Sequence, residues 1–518
     1  MRNRNDKRKR KKIAGQVLNE EDITVVDTDV VKRSVVATGI GNAMEWFDFG
    51  IYAYLATTIG AVFFPDFSGP TQLVFSFATF AVAFLVRPLG GIFFGMLGDK
   101  LGRKRILAIT LIMMALATLS IGFIPGYGSI GIMAPILLLV ARLVQGFSTG
   151  GEYSGAMTFL AESSPDKRRS FLTSGLEVGT LCGYIFGSGT VTLLTYILGQ
   201  DTMLAWGWRI PFFIAAPIGL IGLYFRTKLE ETPAFKKKMD AESSNHISMK
   251  DIIVNHKAPL LKGLIIVFFY NVIYYTVLTY MPSHLNSVLG YSQTTGLLII
   301  LVVMCIQLPI VLLMGFLGDR FGKNRIILGG LIGMLLLAIP SYMLIGSGTT
   351  VWIFTGIMIL ALLFTTFQGT LPSLLPSLFF TEVRYSGLSI TYNISVSLFG
   401  GTAPLLVSWL ISWTGSQFIP AYYIMFASLV GVVVMTVFVK ETSGKPLRGS
   451  PPAVADKSEI PDVLEENDDG LWWNEEKGKF NMEVATKDEL YMDMDDDGLT
   501  IDHGDNGKRT DTENNDEP

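Results

Sequence analysis

The chain of 518 residues is 50% hydrophobic and 17% charged, where a soluble protein carries about 25% charged residues. Its mean hydropathy of +0.43 excludes an ordinary water-soluble domain. The formal net charge of −4 joins two unlike regions: residues 440–518 hold 23 acidic and 9 basic side chains, near −14, and the remainder is near +10.

The first signal in the chain is the basic run Lys7 to Lys12. No short apolar segment with a small-residue cleavage site follows it, so no secretory signal peptide is expected. A helix needs roughly 20 apolar residues to cross a bilayer. Twelve stretches meet that length, near 34–60, 72–96, 105–124, 130–158, 170–198, 206–226, 258–285, 293–317, 325–346, 350–376, 384–413 and 419–439. A polar stretch with Glu230, Glu231 and Lys236 to Lys238 separates the first six from the last six. The expected organisation is a cytoplasmic tail over 1–33, a six-helix bundle over 34–226, a central cytoplasmic loop over 227–257, a second six-helix bundle over 258–439 and an acidic, mostly disordered cytoplasmic tail over 440–518.

Basic residues set the expected orientation. The loops after spans 1, 3, 7, 9 and 11 contain no Lys or Arg, and Arg209 is the only basic residue near the remaining loop on that side. The opposite loops carry Lys100 to Arg105, Lys167 to Arg169, Arg320 to Arg325 and Arg384. By the positive-inside rule both termini face the cytoplasm. The expected fold class is an all-α membrane protein of 12 transmembrane helices in two six-helix bundles, N-in and C-in, in the plasma membrane.

One loop occurs twice. Gly95-Met-Leu-Gly-Asp99-Lys-Leu-Gly102-Arg103-Lys104-Arg105 follows span 2, and Gly315-Phe-Leu-Gly-Asp319-Arg320-Phe-Gly322-Lys323-Asn-Arg325 follows span 8, about 220 positions later. Glu162 and Glu382 occupy matching positions after the fourth span of each half. Two similar membrane-spanning halves usually carry a solute between them.

With these loops the chain resembles the major facilitator superfamily, whose signature they match. The stretches Gly41 to Phe49, Arg87-Pro88-Leu-Gly-Gly, Gln145 to Tyr153, Trp206 to Phe212 and Leu229 to Pro233 resemble its metabolite–proton symporter branch. Asn271-Val-Ile-Tyr274-Tyr275 followed by Thr279-Tyr-Met-Pro282 is most similar to the osmoprotectant (proline and glycine betaine) symporters of that branch. The resemblance covers roughly residues 30–448 and stops at the tail, which has no sustained apolar repeat of a coiled coil. It implies a gating role for Gly95, Asp99, Gly102, Arg103, Lys104, Arg105, Gly315, Asp319, Gly322 and Arg325, whose contacts across the cytoplasmic face must break when a carrier opens inward.

Ionisable residues inside spans cost roughly 2.5–3.5 kcal/mol each at mid-helix and need partners or a wet cavity. Glu45 and Asp48 are three apart on one helix face, which Asn42 and Tyr52 extend. Arg142, Gln145, Thr149 and Glu152 follow helical offsets and are expected on one stripe of span 4. A carboxyl facing a low-dielectric cavity can exchange a proton near neutral pH, with an arginine to hold its ionised form. The proton-coupling candidates are Glu45, Asp48 and Glu152, with Arg142 as counter-ion. The plainer alternative is a static pair, Arg142–Glu152 or Asp48–Arg87. Glu177 fits a relay and a structural pair equally. No acid or base lies deep in spans 7–12.

The second half offers aromatic residues instead. Aromatic faces attract quaternary ammonium groups. The substrate-binding candidates are Trp46, Tyr52, Arg142, Gln145, Tyr270, Tyr274, Tyr275 and Tyr392, each with ordinary helix packing as its alternative. In the tail, Leu471-Trp472-Trp473 is the one apolar patch. Asp493-x-Asp495-x-Asp497-Gly498 resembles the start of a calcium loop, but position twelve is Gly504. A solvated acidic tail is the simpler reading, with a salt-screened contact to the basic inner loops.

The expected function is a secondary active transporter, not an enzyme, importing a zwitterionic compatible solute such as glycine betaine or proline with protons, under osmotic regulation. Its expected partners are that solute, H+ and the lipid bilayer, with no nucleic acid and a monomer as working unit. No cofactor or metal is expected: Cys182 and Cys305 lie within apolar runs, the four histidines lack ligand spacing, and no nucleotide-binding glycine loop is present. Two other readings stay open. One is proton symport of an organic anion, a dicarboxylate or a shikimate-like acid; the other is a membrane sensor that binds solutes without moving them.

Overall fold

A computed structural model describes residues 20–101, 103–228, 249–466, 490–495 and 498–503. The basic run Lys7 to Lys12, the central-loop residues Glu230, Glu231 and Lys236 to Lys238, and Leu471 to Trp473 lie outside the described residues.

The main helices of the first half are α1 (Thr28–Tyr54), α2 (Ala56–Phe63), α3 (Gly69–Leu85), α4 (Arg87–Leu101), α5 (Arg103–Phe123), α6 (Met133–Ser148), α7 (Glu152–Glu162), α8 (Arg169–Ala205) and α9 (Ile210–Lys228). Those of the second half are α10 (Lys257–Tyr274), α11 (Gln293–Phe321), α12 (Lys323–Ile345), α13 (Thr350–Leu374), α14 (Thr381–Ser395), α15 (Ala403–Thr414) and α16 (Ile419–Val437). Caps start them where the sequence offers one, because the first N–H groups of a helix have no intrahelical partner. Asp27 Oδ1 accepts the N–H groups of Asp29 and Val30 at 2.9 and 3.3 Å. Ser292 Oγ accepts that of Thr295 at 3.1 Å.

Among the described residues, nine helical stretches are long and apolar enough to cross a membrane. α1 and α2, bent by 57° at Leu55, form a tenth if taken together, and Ala108–Phe123 and Gly207–Ile221 are shorter apolar helices. Large apolar side chains such as Phe186, Leu193, Ile197, Leu220 and Trp413 stand exposed on the outside. Apolar surface of this extent suits contact with lipid rather than water.

Span 4 departs from expectation. It is not one helix: α6 ends at Ser148, Gly151 takes φ +104°, and α7 restarts at Glu152. Only glycine adopts that backbone without strain. The expected stripe is therefore broken, with Arg142 and Gln145 on α6 and Glu152 at the head of α7. α10 similarly loosens into wide π-type turns over Tyr275–Thr279 and His284–Val288, and α14 into one over Val396–Gly400. Such turns collect at functional sites.

α8 lies along α1 and also meets α11 and α13 of the second half. α3 meets α15, and α4 and α7 meet α14. The two halves thus touch along both sides of a shared interface. On the face that carries both ends of the described body, β1 (Thr24–Val25) pairs in parallel with β2 (Ala453–Val454). Ile23, Val454 and Val463 bury together beneath them. The expectation of disorder from 440 onward does not hold for 440–466, which fold across this terminal face. The burial there involves only a few apolar residues among many charges, too few to leave a periodic signal. Further on, Leu490–Asp495 and Gly498–His503 pair as antiparallel strands. Asp493 and Asp495 thus lie in a strand, not a calcium loop, and Asp497 is outside the described residues.

Candidate functional site

α1 supplies four of the expected residues, Glu45, Trp46, Asp48 and Tyr52, and directs them into different surroundings. Glu45, 1% exposed, accepts from Arg87 Nη2 at 2.9 Å. Arg87 opens α4 where α3 breaks, and the same nitrogen reaches the Thr149 carbonyl at 3.5 Å. The static pair expected for Arg87 therefore forms with Glu45, and not with Asp48. Trp46 Nε1 donates to Asn42 Oδ1 at 3.0 Å, which turns the indole toward the second half.

Asp48 belongs to a separate polar chain inside the first half. Thr118 Oγ1 donates to Asp48 Oδ2 at 3.0 Å, and Gln145 Nε2 reaches Thr118 Oγ1 at 2.9 Å. Arg142 Nη1 donates to Gln145 Oε1. The Arg142 guanidinium sits 4.2 Å over the Tyr52 ring, and Tyr52 donates to the Ser76 carbonyl at 3.1 Å. Tyr52, Arg142 and Gln145 thus form one cluster with Asp48, and the rings of Phe49 and Phe80 stand between it and the candidates Trp46 and Tyr275. Glu152 accepts from Thr110 at 3.0 Å at the head of α7 and makes no ion pair with Arg142.

The remaining candidates meet where the halves touch. The Trp46 ring lies 5.7, 6.0 and 6.2 Å from those of Tyr184, Tyr274 and Tyr153. Tyr274 lies 5.9 Å from Tyr270 and 5.2 Å from Tyr275, and Tyr392 stacks on Tyr153 at 4.6 Å. Sequence reasoning did not name Tyr153 and Tyr184 as site residues: Tyr153 stood only as the end of the Gln145 to Tyr153 stretch, and the signal of Tyr184 is a phenol inside an apolar span. It left Glu177 undecided. The structure places the Glu177 carboxylate between the halves, accepting from Tyr153 of α7 and, at 2.8 Å, from Tyr270 of α10.

The face opposite the termini bears a cavity of about 270 Å³, lined by Thr57, Gln72, Gln200 and Leu204 of the first half and Asn286 and Ser287 of the second. The terminal face is sealed. Asp319 accepts the N–H groups of Ser170 and Phe171 at 2.8 and 2.9 Å, at the start of α8. Ser170 and Ser373 share a hydrogen bond of 2.8 Å, and Arg384 pairs with Glu162 at 2.7 Å. Of the other gating candidates, Gly315 packs against Ser170 and Ser174, and Arg325 is exposed. The side chains of Gly95, Asp99, Gly102, Arg103, Lys104, Arg105 and Glu382 lie outside the described residues.

The segment after α16 ties this seal down. Glu441 accepts from the N–H groups of Lys323 and Asn324 at 3.2 and 3.1 Å, capping α12. Gly322, at φ +102°, lets it approach, since a Cβ there would lie 2.5 Å from Glu441 Oε2. Burial alone would raise the Glu441 carboxyl, but the N–H groups of Ser443, Asn324 and Thr442 outweigh it and hold the group below the usual carboxylate range. Beyond it, Arg169 donates to the Lys445 carbonyl at 2.9 Å, Arg384 to that of Arg448 at 2.6 Å, and Asp166 accepts the Ala453 N–H at 3.0 Å. Arg169 and Asp166 are also paired with each other. Among the described residues no group of His, Cys, Asp and Glu could hold a metal ion.

Comparison with known proteins fits this architecture. Residues 38–400 match the family model of the Major Facilitator Superfamily. The chain is 45% identical over 474 residues to the glycine betaine/proline/ectoine/pipecolic acid transporter OusA of Dickeya dadantii, covering 90% of this chain and 94% of that protein. It is 45% identical over 472 residues to the proline/betaine transporter of Escherichia coli K12, covering 89% and 94%. A putative proline/betaine transporter of Staphylococcus haemolyticus is 46% identical over 463 residues, covering 89% and 99%. Among solved structures, the proton:xylose symporter XylE bound to 6-bromo-6-deoxy-D-glucose superposes with a TM-score of 0.65 at 17% identity, over 81% of this chain and 98% of that one. That likeness is one of fold. By family model, identity and fold together, the chain belongs to the major facilitator superfamily: it is a multi-pass membrane transporter, not an enzyme.

Proposed function

We propose that the chain is a secondary active symporter that imports a zwitterionic compatible solute of the glycine betaine and proline class together with protons. The observation that carries this reading is the aromatic centre, where Trp46, Tyr153 and Tyr184 of one half meet Tyr270, Tyr274 and Tyr392 of the other. Aromatic faces attract alkylated ammonium groups without needing a hydrogen bond from them, and a site shared by both halves changes access when the halves rock. The names of the relatives point to the same solutes.

Proton exchange is assigned to Glu45, Asp48 and Glu152, with Arg142 reaching Asp48 through Gln145 and Thr118. The nine long stretches, the bent pair α1–α2 and the two shorter apolar helices make twelve spans in two six-helix bundles, joined by a central loop over 227–257. The terminal face is cytoplasmic, in the plasma membrane, and the monomer is the working unit. A solute approaching from outside then meets the open cavity first, which suits import. The acidic tail senses ionic strength through screened contacts with the basic inner loops.

Uptake into proteoliposomes tests this. Labelled glycine betaine, proline, citrate and 2-oxoglutarate are offered with and without a proton gradient, at low and high osmolality. Gradient-driven uptake of the first two, rising with osmolality, is the expected result. Betaine uptake indifferent to the gradient removes the coupling; uptake of the acids alone replaces the solute class with organic anions.

A further inference from the structure

Two charged groups at the aromatic centre are buried without charge balance or without full hydrogen bonding. The first is Arg87. It is 1% exposed, yet only Nη2 of its three nitrogens is used; Nε and Nη1 have no hydrogen-bond partner among the described residues. Buried guanidinium N–H groups left unpaired are costly and uncommon. The second is Glu177, fully buried, whose carboxylate among the described residues accepts from the hydroxyls of Tyr153 and Tyr270, with the Gln368 amide beside it. No lysine or arginine among the described residues pairs with it. Arg87 lies 5.5 Å over the Phe49 ring, Phe49 lies 6.0 Å from Trp46 and Trp46 lies 6.2 Å from Tyr153, which bonds Glu177, so the two charges flank one aromatic cluster. The Tyr184, Tyr274 and Tyr275 hydroxyls there also lack a partner at hydrogen-bond geometry among the described residues.

We infer that this cluster is a dipolar receptor, in which the unused N–H groups of Arg87 bind the carboxylate of a zwitterion and Glu177, with the surrounding rings, binds its ammonium group. Glu45 neutralises only part of Arg87 and leaves its other donors for a second carboxylate. Glu177 supplies the opposite field, and the rings of Trp46 and Tyr274 solvate a cation whose methyl groups offer no N–H. A proline ammonium could instead donate directly to Glu177. The arrangement rejects a ligand with one charge, since the opposite pole then stays buried and unpaired. Arg142, committed to Gln145 and Tyr52, is not the carboxylate receptor. This assignment rests on the proposed solute class and specifies which residues select it.

The test is equilibrium binding to the purified full chain with no gradient, so that proton coupling does not enter. Three probes of similar size are used: glycine betaine with both charges, choline with only the cation, and 3,3-dimethylbutanoate with only the carboxylate. Wild type is expected to bind glycine betaine at least tenfold more tightly than either one-charge probe. Arg87→Gln combined with Glu45→Gln, which avoids stranding a buried acid, should collapse the betaine-to-choline ratio toward one while the betaine-to-dimethylbutanoate ratio persists. Glu177→Gln should do the reverse. Thermal unfolding checks that both variants are folded. A uniform loss of all three probes from folded variants, unchanged ratios, or exchanged patterns overturns the assignment. Wild-type protein that binds neither glycine betaine nor proline overturns the solute class itself.

Discussion

Asp319, at the end of α11 in the second half, accepts the backbone N–H of Ser170, at the start of α8 in the first half, at 2.8 Å. A carboxylate at a helix N-terminus is a favourable partner, and here helix and carboxylate belong to bodies that must separate if the terminal face is to open.

Asp319→Ala should therefore favour the state open on the terminal face. Losing a charge-assisted hydrogen bond costs roughly 1.5–3 kcal/mol, on the order of a tenfold shift in population or more. A cysteine at Ser373, which contacts Ser170 across the seam, reports it, in a background with Cys182 and Cys305 replaced. Alkylation of that cysteine should accelerate at least about tenfold in the Asp319→Ala background. An unchanged rate would mean that the contact does not hold the seal.

Glu45→Gln, Asp48→Asn and Glu152→Gln separate coupling from structure. General acid–base groups in a coupled carrier are needed for gradient-driven uptake and far less for solute exchange. A proton-carrying residue should lose uptake by about tenfold or more while exchange stays within a few-fold. Equal loss in both assays marks the residue as a structural partner. For Glu45 that outcome has a specific cause, an Arg87 stripped of its only carboxylate among the described residues.

Arg384→Ala should be among the most destabilising single changes on the terminal face. The side chain is fully buried and bonds the carbonyls of Pro376, Phe379 and Arg448 as well as Glu162. Removing it strands those acceptors, at about 3 kcal/mol or more in total. Glu162→Ala should cost less, because Glu162 is one-third exposed and water replaces part of its loss. Thermal unfolding in detergent ranks the two variants, and a larger effect at Glu162 would contradict this order.

Glu441 supplies a pH dependence with a defined sign. Its folded-state carboxyl is held below the ordinary range, so its contribution is complete above the unfolded value near 4.3. It fades as pH falls through the lower folded value. Wild type should exceed Glu441→Gln in stability by about 1 kcal/mol at neutral pH, the usual worth of a helix cap, and the gap should narrow only below about pH 4. A gap that widens on acidification would refute the cap. Gly322→Ala should mimic the loss at neutral pH, through both its backbone angle and its approach to Glu441.

Much of the helical plan could be read from apolar runs alone. α11, α12 and α13 are long and continuously hydrophobic, and the apolar run outweighs the internal Pro309, Pro340 and Pro372, which membrane helices tolerate. The break at Gly151 could not, because the apolar pattern continues through it and a glycine pair within a span serves close packing as readily as a kink. The site was legible in part. Spacing along α1 puts Glu45 and Asp48 on one helix face, but it does not give their partners, since Arg87 and Thr118 come from other helices. Glu177 was visible as a costly acid in an apolar span. Its meaning depends on Tyr153 and Tyr270, which lie 24 and 93 positions away. The repeated loops pointed to matched gates. That Glu162 would pair with Arg384 across the seam, 222 positions distant, is a property of the docked halves and of neither copy by itself.

The parallel pairing of Thr24 with Ala453 and of Val25 with Val454 makes the two extremities of the folded body a single object. Deletion series begun from opposite ends then stop being independent experiments. Losing residues before Val26 strips the partner from β2, and losing residues beyond Arg448 strips it from β1, so the double truncation should cost less than the sum of the two. Shortening the amino end is, in its effect on the fold, already shortening the carboxyl end.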